Sequence, residues 1–441
     1  MKTKIVFIAM FLTNVCLGQY GVSSGSYTMV GSNGMNSHNE SGAYINQMVI
    51  VEDFVNYHKH KITIPTKSEV GLSIDYDNNL LEKDNFILQV GVATSAKENM
   101  AKTLKDVNIS LVIDNSGSMS GNKINFVKSA VKTFVKELDN GMFLSLITFS
   151  DNAKVIMQTV KITNNRNKIY QIIDNIQPEG STNINAGMIL GYEEILKTHN
   201  SKTNSRLILL TDGMANTGET NLEKILINSK HYNDMGIEIS TIGVGKTLDF
   251  DLLRSLSEYG KGSNHFIRDT ETDIQKVFVT ELESLLYNIG KNPVVTIELP
   301  KRYVIKKIYG YKPNYASDNK VSIGLENLNS GSTQVILIEV EKKSNLKDEI
   351  QVHLEYEKDK KEIVLDETAM VKSKMGSTND EIAKNYSIAV MADALKQYAT
   401  EYTKGLNPTN EDLTNACTFA EKHSDIKDVD VKRTYEILKK I

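Results

Sequence analysis

The chain has 441 residues, with 51 Lys and Arg against 55 Asp and Glu, which gives a formal net charge of −4. This length is enough for about two or three domains, and the mild acidic balance excludes the strong positive field of a general nucleic-acid binder. A hydrophobic content of 40% and a charged content of 24% are typical of a globular protein.

The first 18 residues are typical of a secretory signal peptide. Lys2 and Lys4 form a basic start, the apolar stretch Ile5–Leu12 is too short to cross a bilayer, and Gly18 is a small residue before a cleavage point. We therefore expect residues 1–18 to be removed and the protein to be exported to the periplasm, the cell surface or the medium. No later segment has the ~20 consecutive apolar residues of a membrane helix.

The two cysteines bear on anchoring and on disulfides. Cys16 could become a lipid anchor, but Asn14 and Val15 precede it where a lipoprotein signal carries small residues, so its loss with the signal is favoured. Cys417 would then be the single cysteine of the mature chain. Without a disulfide framework, stability must come from the core or from bound metal.

Residues 19–45 are rich in Gly, Ser and Asn and are interpreted as a flexible linker, and residues 46–104 as an N-terminal β-rich segment of short strands. A stretch in that segment starts like a calcium loop, with Asp75, Asp77 and Asn79. It lacks Gly at the sixth position and has Phe86 where the bidentate Glu belongs, which argues against calcium. His58 and His60 could offer two imidazoles, but without a third ligand nearby we expect two surface residues of a strand.

Residues 105–290 alternate strands and helices. Val107–Asp114 is a nearly continuous apolar run, as in a strand buried on both faces, and a helical apolar stripe runs from Ile124 to Leu138. The alternation predicts an α/β fold with a doubly wound, mostly parallel sheet, and Ala153–Val160 is the expected antiparallel hairpin partner of the strand before it.

Strands return over residues 291–370, which predicts a β-rich domain, and residues 371–441 form a C-terminal helical segment. The N-terminal strands are too few for a stable core of their own. We therefore expect the two flanks to combine into one β domain into which the α/β unit is inserted.

The loop Asp114–Lys123, "DNSGSMSGNK", follows the first buried strand of this unit. It does not match a P-loop, because Gly117 and Gly121 enclose three residues instead of four, nor a nucleophile elbow, because Met119 lies midway between those glycines. A haloacid-type Asp nucleophile would need a second Asp at Ser116. A metal site is left, since Asp and Ser offer the hard oxygen ligands that Mg²⁺ prefers.

Two further oxygen donors are expected at the same edge of the sheet. Thr182 lies in a loop before a helix, and Asp212 ends the next apolar strand. Together with the first loop, this set resembles the metal-ion-dependent adhesion site of a von Willebrand factor type A domain. The residues that carry the resemblance are Asp114, Ser116, Ser118, Thr182 and Asp212.

The resemblance implies how these residues share the ion. Ser116 and Ser118 would contact the metal directly, Thr182 directly or through water, and Asp114 and Asp212 mostly through water. Mg²⁺ is the expected ion, with Mn²⁺ or Ca²⁺ as alternatives. The electrophilic ion would bind an Asp or Glu carboxylate of a protein partner.

The flanking stretches Met48–Thr63 and Asn292–Asn314 resemble the flanks of exported bacterial von Willebrand A proteins with a C-terminal domain of unassigned function. The function implied is non-enzymatic, metal-dependent protein binding in adhesion or envelope complex assembly. One alternative is a scaffold with a purely structural metal and an interface on the C-terminal helices, although Tyr386, Tyr398 and Tyr402 there are better explained as core residues.

A Mg²⁺-dependent hydrolase is the less favoured alternative. No His follows the site on the same loops, His265 is the one His near a later strand end, and Asp114 and Asp212 are committed to the ion, so no general base is left for catalysis. Polar caps and turns are common at strand–helix junctions and would explain any one of these loops on its own, without a metal site.

Overall fold

The computed structural model describes residues 49–81, 85–95, 106–200, 203–244, 248–267, 277, 281, 288–342, 348–358, 361–371, 377–439 and 441. The predicted signal peptide, the linker and Cys16 lie outside these residues. In the described part of the chain, no helix is long and apolar enough to cross a membrane.

The N-terminal flank contains α1 (Val51–Asn56), β1 (Val70–Asp77) and β2 (Asn85–Thr94). The next strands are β3 (Asp106–Asp114), β4 (Phe143–Phe149), β5 (Ala153–Lys161), β6 (Thr203–Thr211), β7 (Ile237–Val244) and β8 (Lys261–Ile267). The helices between them are α2 (Asn122–Glu137), α3 (Arg166–Asp174), α4 (Ile184–Leu196), α5 (Leu222–Asn233) and α6 (Phe250–Tyr259).

The C-terminal flank begins with strands β9 (Asn288–Glu298), β10 (Tyr303–Ile308), β11 (Asn314–Ser317), β12 (Lys320–Gly324), β13 (Leu328–Asn329), β14 (Thr333–Lys342), β15 (Asp348–Lys358) and β16 (Lys361–Val371). It ends with helices α7 (Asp380–Thr403), α8 (Glu411–His423) and α9 (Val429–Leu438). The chain divides into an α/β unit, the described residues from 106 to 281, and a flanking unit, those from 49 to 95 and from 288 to 441.

The α/β unit has one six-stranded sheet in the order β5-β4-β3-β6-β7-β8. The neighbouring strands in the order β4-β3-β6-β7-β8 run parallel to one another. Strand β5 pairs antiparallel with β4 at the edge of the sheet. The predicted fold class and the antiparallel edge strand are both confirmed. Since β3 is central, its carboxyl end lies between those of β4 and β6, which is where open α/β sheets bind ligands.

Helices cover both faces of this sheet. Ile109, Leu111 and Ile113 of β3 pack in a core shared with α2 and α3. On the other face α4 lies so close that a Cβ added at Gly191 would be 2.4 Å from Cγ2 of Val112. Of the last helix expected in this unit, Val277 and Glu281 are described; both are helical and buried, one turn apart.

The flanking unit contains two antiparallel sheets, in the orders β1-β2-β14-β10 and β11-β12-β9-β15-β16. Strand β2, from before the α/β unit, pairs with β14, from after it, between Asn85–Glu341 and Ala93–Thr333. This pairing agrees with the expectation that both flanks build one domain. One face of the first sheet shares a core with the second sheet, and the other face is covered by α1 and the C-terminal helices.

Two expectations for the N-terminal flank are wrong. Val51–Asn56 is a helix and not a strand, because Val51 and Val55 lie one turn apart and both enter the core beneath the C-terminal helices. His58 and His60 follow this helix outside any strand, and they are buried, with 7% and 2% of their surface exposed.

Other side chains singled out in the flanks have structural roles. Asp77 accepts the backbone N–H groups of Asn79, Leu80 and Asn379, so its carboxylate caps a turn. Tyr386 and Tyr398 are buried in the core between the helices and the first sheet, as predicted, whereas Tyr402 is half-buried.

Candidate metal centre

The loop after β3 is held at the carboxyl edge of the sheet by its neighbours. The N–H of Asn115 donates to the carbonyl of Phe149, the last residue of β4, at 3.0 Å. The N–H of Gly117 donates to the carbonyl of Gly180 at 3.0 Å, which joins this loop to the one before α4. The backbone therefore fixes the position of the hydroxyl-bearing loop.

Asp114 is fully buried and both of its carboxylate oxygens accept hydrogen bonds. Oδ1 accepts the N–H of Ser116 at 2.8 Å, and Oδ2 accepts the hydroxyl of Thr211 at 2.6 Å. Burial raises the pKa of Asp114 to about 6, against the lowering effect of these two donors. A carboxylate held in this way is better suited to bind a metal-bound water than to replace it.

Ser116, Ser118 and Asp212 form a chain of short contacts. The hydroxyl oxygens of the two serines are 2.9 Å apart, and the Ser118 hydroxyl donates to Oδ1 of Asp212 at 2.6 Å. Asp212 directly follows β6 and has 2% of its surface exposed. The fold thus brings these oxygens together from positions 94 residues apart in sequence.

Lys123 extends this series of contacts. The sequence analysis did not identify it as a site residue. Its ammonium is 2.6 Å from Oδ2 of Asp212, whose side chain is fully buried while that of Lys123 is 27% exposed. The signal was available, because Lys123 lies in the first turn of α2, directly beyond the serine loop. The ion pair balances one of the two carboxylate charges at the site.

Thr182 lies beside the loop that follows β6. Its N–H donates to Oδ1 of Asn216 at 2.8 Å, and the N–H of Asn216 donates to the Thr182 carbonyl at 3.0 Å. A Cβ added at Gly213 would lie 3.5 Å from Oγ1 of Thr182 and 4.0 Å from Oγ of Ser118. The hydroxyls of Thr182 and Ser118 therefore border the same space next to Gly213.

This donor set fits a hard divalent cation. It combines three neutral hydroxyls with two carboxylates whose oxygens are already engaged by protein groups, and oxygen donors of this kind suit Mg²⁺. Three polar loops, one after β3, one after β6 and one before α4, are held around one space by backbone and side-chain hydrogen bonds. Polar caps at three unrelated junctions would not be expected to converge in this way.

Comparison with protein families agrees with the topology of the α/β unit. The model of the von Willebrand factor type A domain matches residues 108–280. The α/β unit is a von Willebrand factor type A domain. The VWA domain accordingly carries the candidate metal centre at the carboxyl edge of its sheet.

The relatives of this VWA protein are diverse. The uncharacterized protein YfbK of Escherichia coli K12 is 27% identical over 264 residues, which is 58% of this chain and 46% of the relative. The inter-alpha-trypsin inhibitor heavy chain H2 of Mesocricetus auratus is 32% identical over 209 residues, which is 45% of this chain and 22% of that protein. The chain thus spans less than half the length of these curated relatives.

A solved structure shares the wider fold. The von Willebrand factor type A protein from Catenulispora acidiphila superimposes with a TM-score of 0.57 at 16% sequence identity, and the match covers 83% of this chain and 89% of that one. The match therefore extends beyond the VWA domain and includes part of the flanking unit.

His265, the residue considered for a hydrolase, belongs to a buried ion-pair network of the VWA domain. Its Nε2 is 2.6 Å from Oε1 of Glu281, and Oε2 of Glu281 is 3.1 Å from Nη1 of Arg206. Arg206 also pairs with Glu238 of β7. His265 therefore has a structural partner in the domain interior.

Proposed function

We propose that this protein is a non-enzymatic binding protein that recognises an acidic side chain of a protein partner through a divalent cation. VWA domains mediate protein–protein interactions. The proposed ion is Mg²⁺, with Mn²⁺ or Ca²⁺ as alternatives, and the proposed setting is adhesion or complex assembly in the cell envelope or outside the cell. The residues proposed to hold the ion are Asp114, Ser116, Ser118, Thr182 and Asp212.

The observation that carries the proposal is the contact between the Ser118 hydroxyl and Asp212 beside the Ser116 hydroxyl. These oxygens come from the ends of two neighbouring strands and lie within hydrogen-bond distance of one another. Hydroxyls at such separations can share one small cation.

The charge balance at the site supports recognition of an acidic side chain by the bound cation. Asp114 uses both oxygens for Ser116 and Thr211, and Asp212 uses its oxygens for Ser118 and Lys123. Neutral hydroxyls are then the groups left to contact a cation, which would keep most of its positive charge. Such a cation favours an additional carboxylate ligand, and an acidic side chain of a partner can provide it.

The test is partner capture from an envelope extract with the protein from residue 19 onward. Wild type is used in Mg²⁺ and in EDTA, Asp114→Ala is used in Mg²⁺, and circular dichroism establishes that all samples are folded. A protein retained by wild type in Mg²⁺ alone is then purified, and its surface Asp and Glu residues are changed to Asn and Gln. Loss of binding from one such change supports the proposal.

A different result would favour the alternative in which the metal is structural. In that case Mg²⁺ would raise the unfolding temperature of wild type, yet all three folded samples would capture the same proteins. The interface would then be sought on the exposed faces of α7, α8 and α9.

A further inference from the structure

His58 and His60 lie against each other in the interior of the flanking unit. Their ring centroids are 4.5 Å apart and their planes are tilted by 60°. Less than a tenth of either residue is exposed. Two tilted imidazoles at this distance can direct one nitrogen each toward a common point.

Three of the four nitrogens of these two rings lack a hydrogen-bond partner in the described part of the chain. Within the described chain, neither nitrogen of His58 has a hydrogen-bond partner, and Nδ1 of His60 has none either. Buried polar atoms usually have a partner, and an unpaired one destabilises the folded state. A group that accepts the nitrogen lone pairs would remove this destabilisation.

Asn56 determines which nitrogen of His60 carries the proton. Oδ1 of Asn56 is 3.0 Å from Nε2 of His60 and also accepts the N–H of Val335 at 2.8 Å, while Nδ2 of Asn56 donates to Val335 and Tyr311. Since Oδ1 is an acceptor, Nε2 of His60 must be the donor. Nδ1 of His60 then presents a lone pair, as a histidine ligand of a metal does.

The third group is Glu381, in the first turn of α7. Its Oε1 accepts the N–H of Lys61 at 2.9 Å and lies 3.6 Å from Nδ1 of His60, which is too long for a hydrogen bond. One ligand atom from each of the three side chains can be chosen so that all lie within 4.8 Å of one another. A lone pair and a carboxylate that face each other attract a cation between them.

We propose that His58, His60 and Glu381 bind a transition-metal ion, with Zn²⁺ the best match. Two imidazoles and one carboxylate are a familiar ligand set for Zn²⁺, whereas Mg²⁺ and Ca²⁺ prefer oxygen alone. Ligands at ~2.1 Å from a tetrahedral ion are about 3.4 Å apart, so the three atoms, which lie within 4.8 Å of one another, would draw closer together around a bound ion. This site is separate from the oxygen site of the VWA domain.

The surroundings are compatible with a bound cation. The nearby ammonium of Lys384 is paired with the carboxylates of Asp428 and Asp430, so it adds no net positive charge. A surface cavity of about 680 Å³ borders Glu381, whose side chain is 12% exposed.

The position of the site indicates what the ion would do. Its histidines precede the VWA domain in the chain and its carboxylate follows that domain, 321 residues after His60. An ion bound there would join α7 to the segment after α1 and stabilise the flanking unit, because it binds the folded state alone.

The test is a Co²⁺ titration of the chelator-stripped protein from residue 19 onward, followed by visible absorption and then by displacement with Zn²⁺. Excess Mg²⁺ is present so that the oxygen site of the VWA domain does not contribute. The variants are His60→Gln and Glu381→Gln, and the matched control is His353→Gln, which removes a histidine paired with Asp366 on the exposed side of β15. Thermal unfolding in EDTA reports whether each variant is folded.

We expect wild type and His353→Gln to bind one Co²⁺ with the intense bands of a tetrahedral complex, and Zn²⁺ to displace it and raise the unfolding temperature. His60→Gln and Glu381→Gln should each weaken binding by roughly 100-fold or more, beyond the effect of losing an outer hydrogen bond. If His60→Gln does not fold, Glu381→Gln tests the proposal alone, because the side chain of Glu381 is partly exposed and its replacement is less disruptive. Binding that is absent in wild type, or equal in wild type and Glu381→Gln, would overturn the proposal.

Discussion

Gly213 is the position at which metal binding can be separated from folding. A Cβ there would lie 3.5 Å from Oγ1 of Thr182 and 4.0 Å from Oγ of Ser118, and these are ordinary van der Waals distances. Gly213→Ala should therefore fold, with a stability change of no more than about 1 kcal/mol. Its methyl group nevertheless occupies the space between two proposed metal ligands.

The loss can be estimated from the contacts that the methyl group removes. A water or carboxylate bound between Thr182 and Ser118 would lose about one or two hydrogen bonds of ~0.5–1.5 kcal/mol each. We expect the Mg²⁺ affinity of Gly213→Ala to fall by roughly tenfold, since 1.4 kcal/mol corresponds to a factor of ten. Isothermal titration with Mg²⁺ measures the affinity, and chemical unfolding in EDTA measures the stability.

Two glycines serve as matched controls. A Cβ at Gly324 meets nothing within 4 Å, so Gly324→Ala should alter neither the Mg²⁺ affinity nor the stability of the protein. A Cβ at Gly187 of α4 would lie 2.6 Å from Cδ1 of the fully buried Phe149, so Gly187→Ala should lose about 1–2 kcal/mol of stability despite its better helix propensity. Unchanged Mg²⁺ affinity in a folded Gly213→Ala would refute the proposed position of the ion.

Three further predictions concern charges and a helix cap. Lys123→Met should cost the metal-free protein about 3 kcal/mol, because Asp212 stays buried without its ion pair, and Mg²⁺ should restore much of this loss in thermal unfolding. Burial alone would raise the pKa of Glu281, but the hydrogen bond and charge of His265 help to lower it to about 2. Because this folded-state pKa lies below the unfolded value of 4.5, the stabilisation is present above pH 4.5 and is lost as the pH falls from 4.5 toward 2. Glu281→Gln should therefore lack about 3 kcal/mol of stability at neutral pH and show a flatter acid limb in urea unfolding, and an unchanged limb would contradict this assignment. Asn379→Ala should cost about 1 kcal/mol in the same assay, because Asn379 caps α7 through the N–H groups of Glu381 and Ile382.

The VWA domain is predictable from its sequence because each of its elements carries its own pattern. Strand β3 is buried on both faces and is nearly continuous in apolar residues, and α2 shows one apolar stripe. Parallel topology then brings the ends of β3 and β6 to one edge, so the proximity of Ser118 and Asp212 follows from the order of the strands.

The flanking unit was harder to predict because its core is assembled from distant segments. The six residues Val51–Asn56 are too few for periodicity to separate helix from strand. His58 and His60 lie beside Glu381, which comes more than 300 residues later in the chain, and nothing local in the sequence reports this proximity. The same holds for Asp77, whose partner Asn379 comes from the other flank.

The ion pair of Lys123 with Asp212 shows a different limit. The lysine was visible next to the serine loop, but its direction depends on how α2 begins after the turn at Gly121, which has a left-handed φ of 83°. Such a conformation favours glycine and redirects the chain by an amount that sequence patterns do not report. The ion pair between Lys123 of α2 and Asp212 after β6 therefore becomes evident only in the folded structure.

The most direct test of the proposed metal centre is isothermal titration of Mg²⁺ into the protein from residue 19 onward, with wild type and the double variant Ser116→Ala/Ser118→Ala. Both proteins are first shown to be folded in EDTA. We predict one Mg²⁺ per wild-type chain and no measurable binding to the double variant, because the hydroxyls are the proposed direct ligands. Equal Mg²⁺ binding by the two proteins, or none by wild type, would contradict the account.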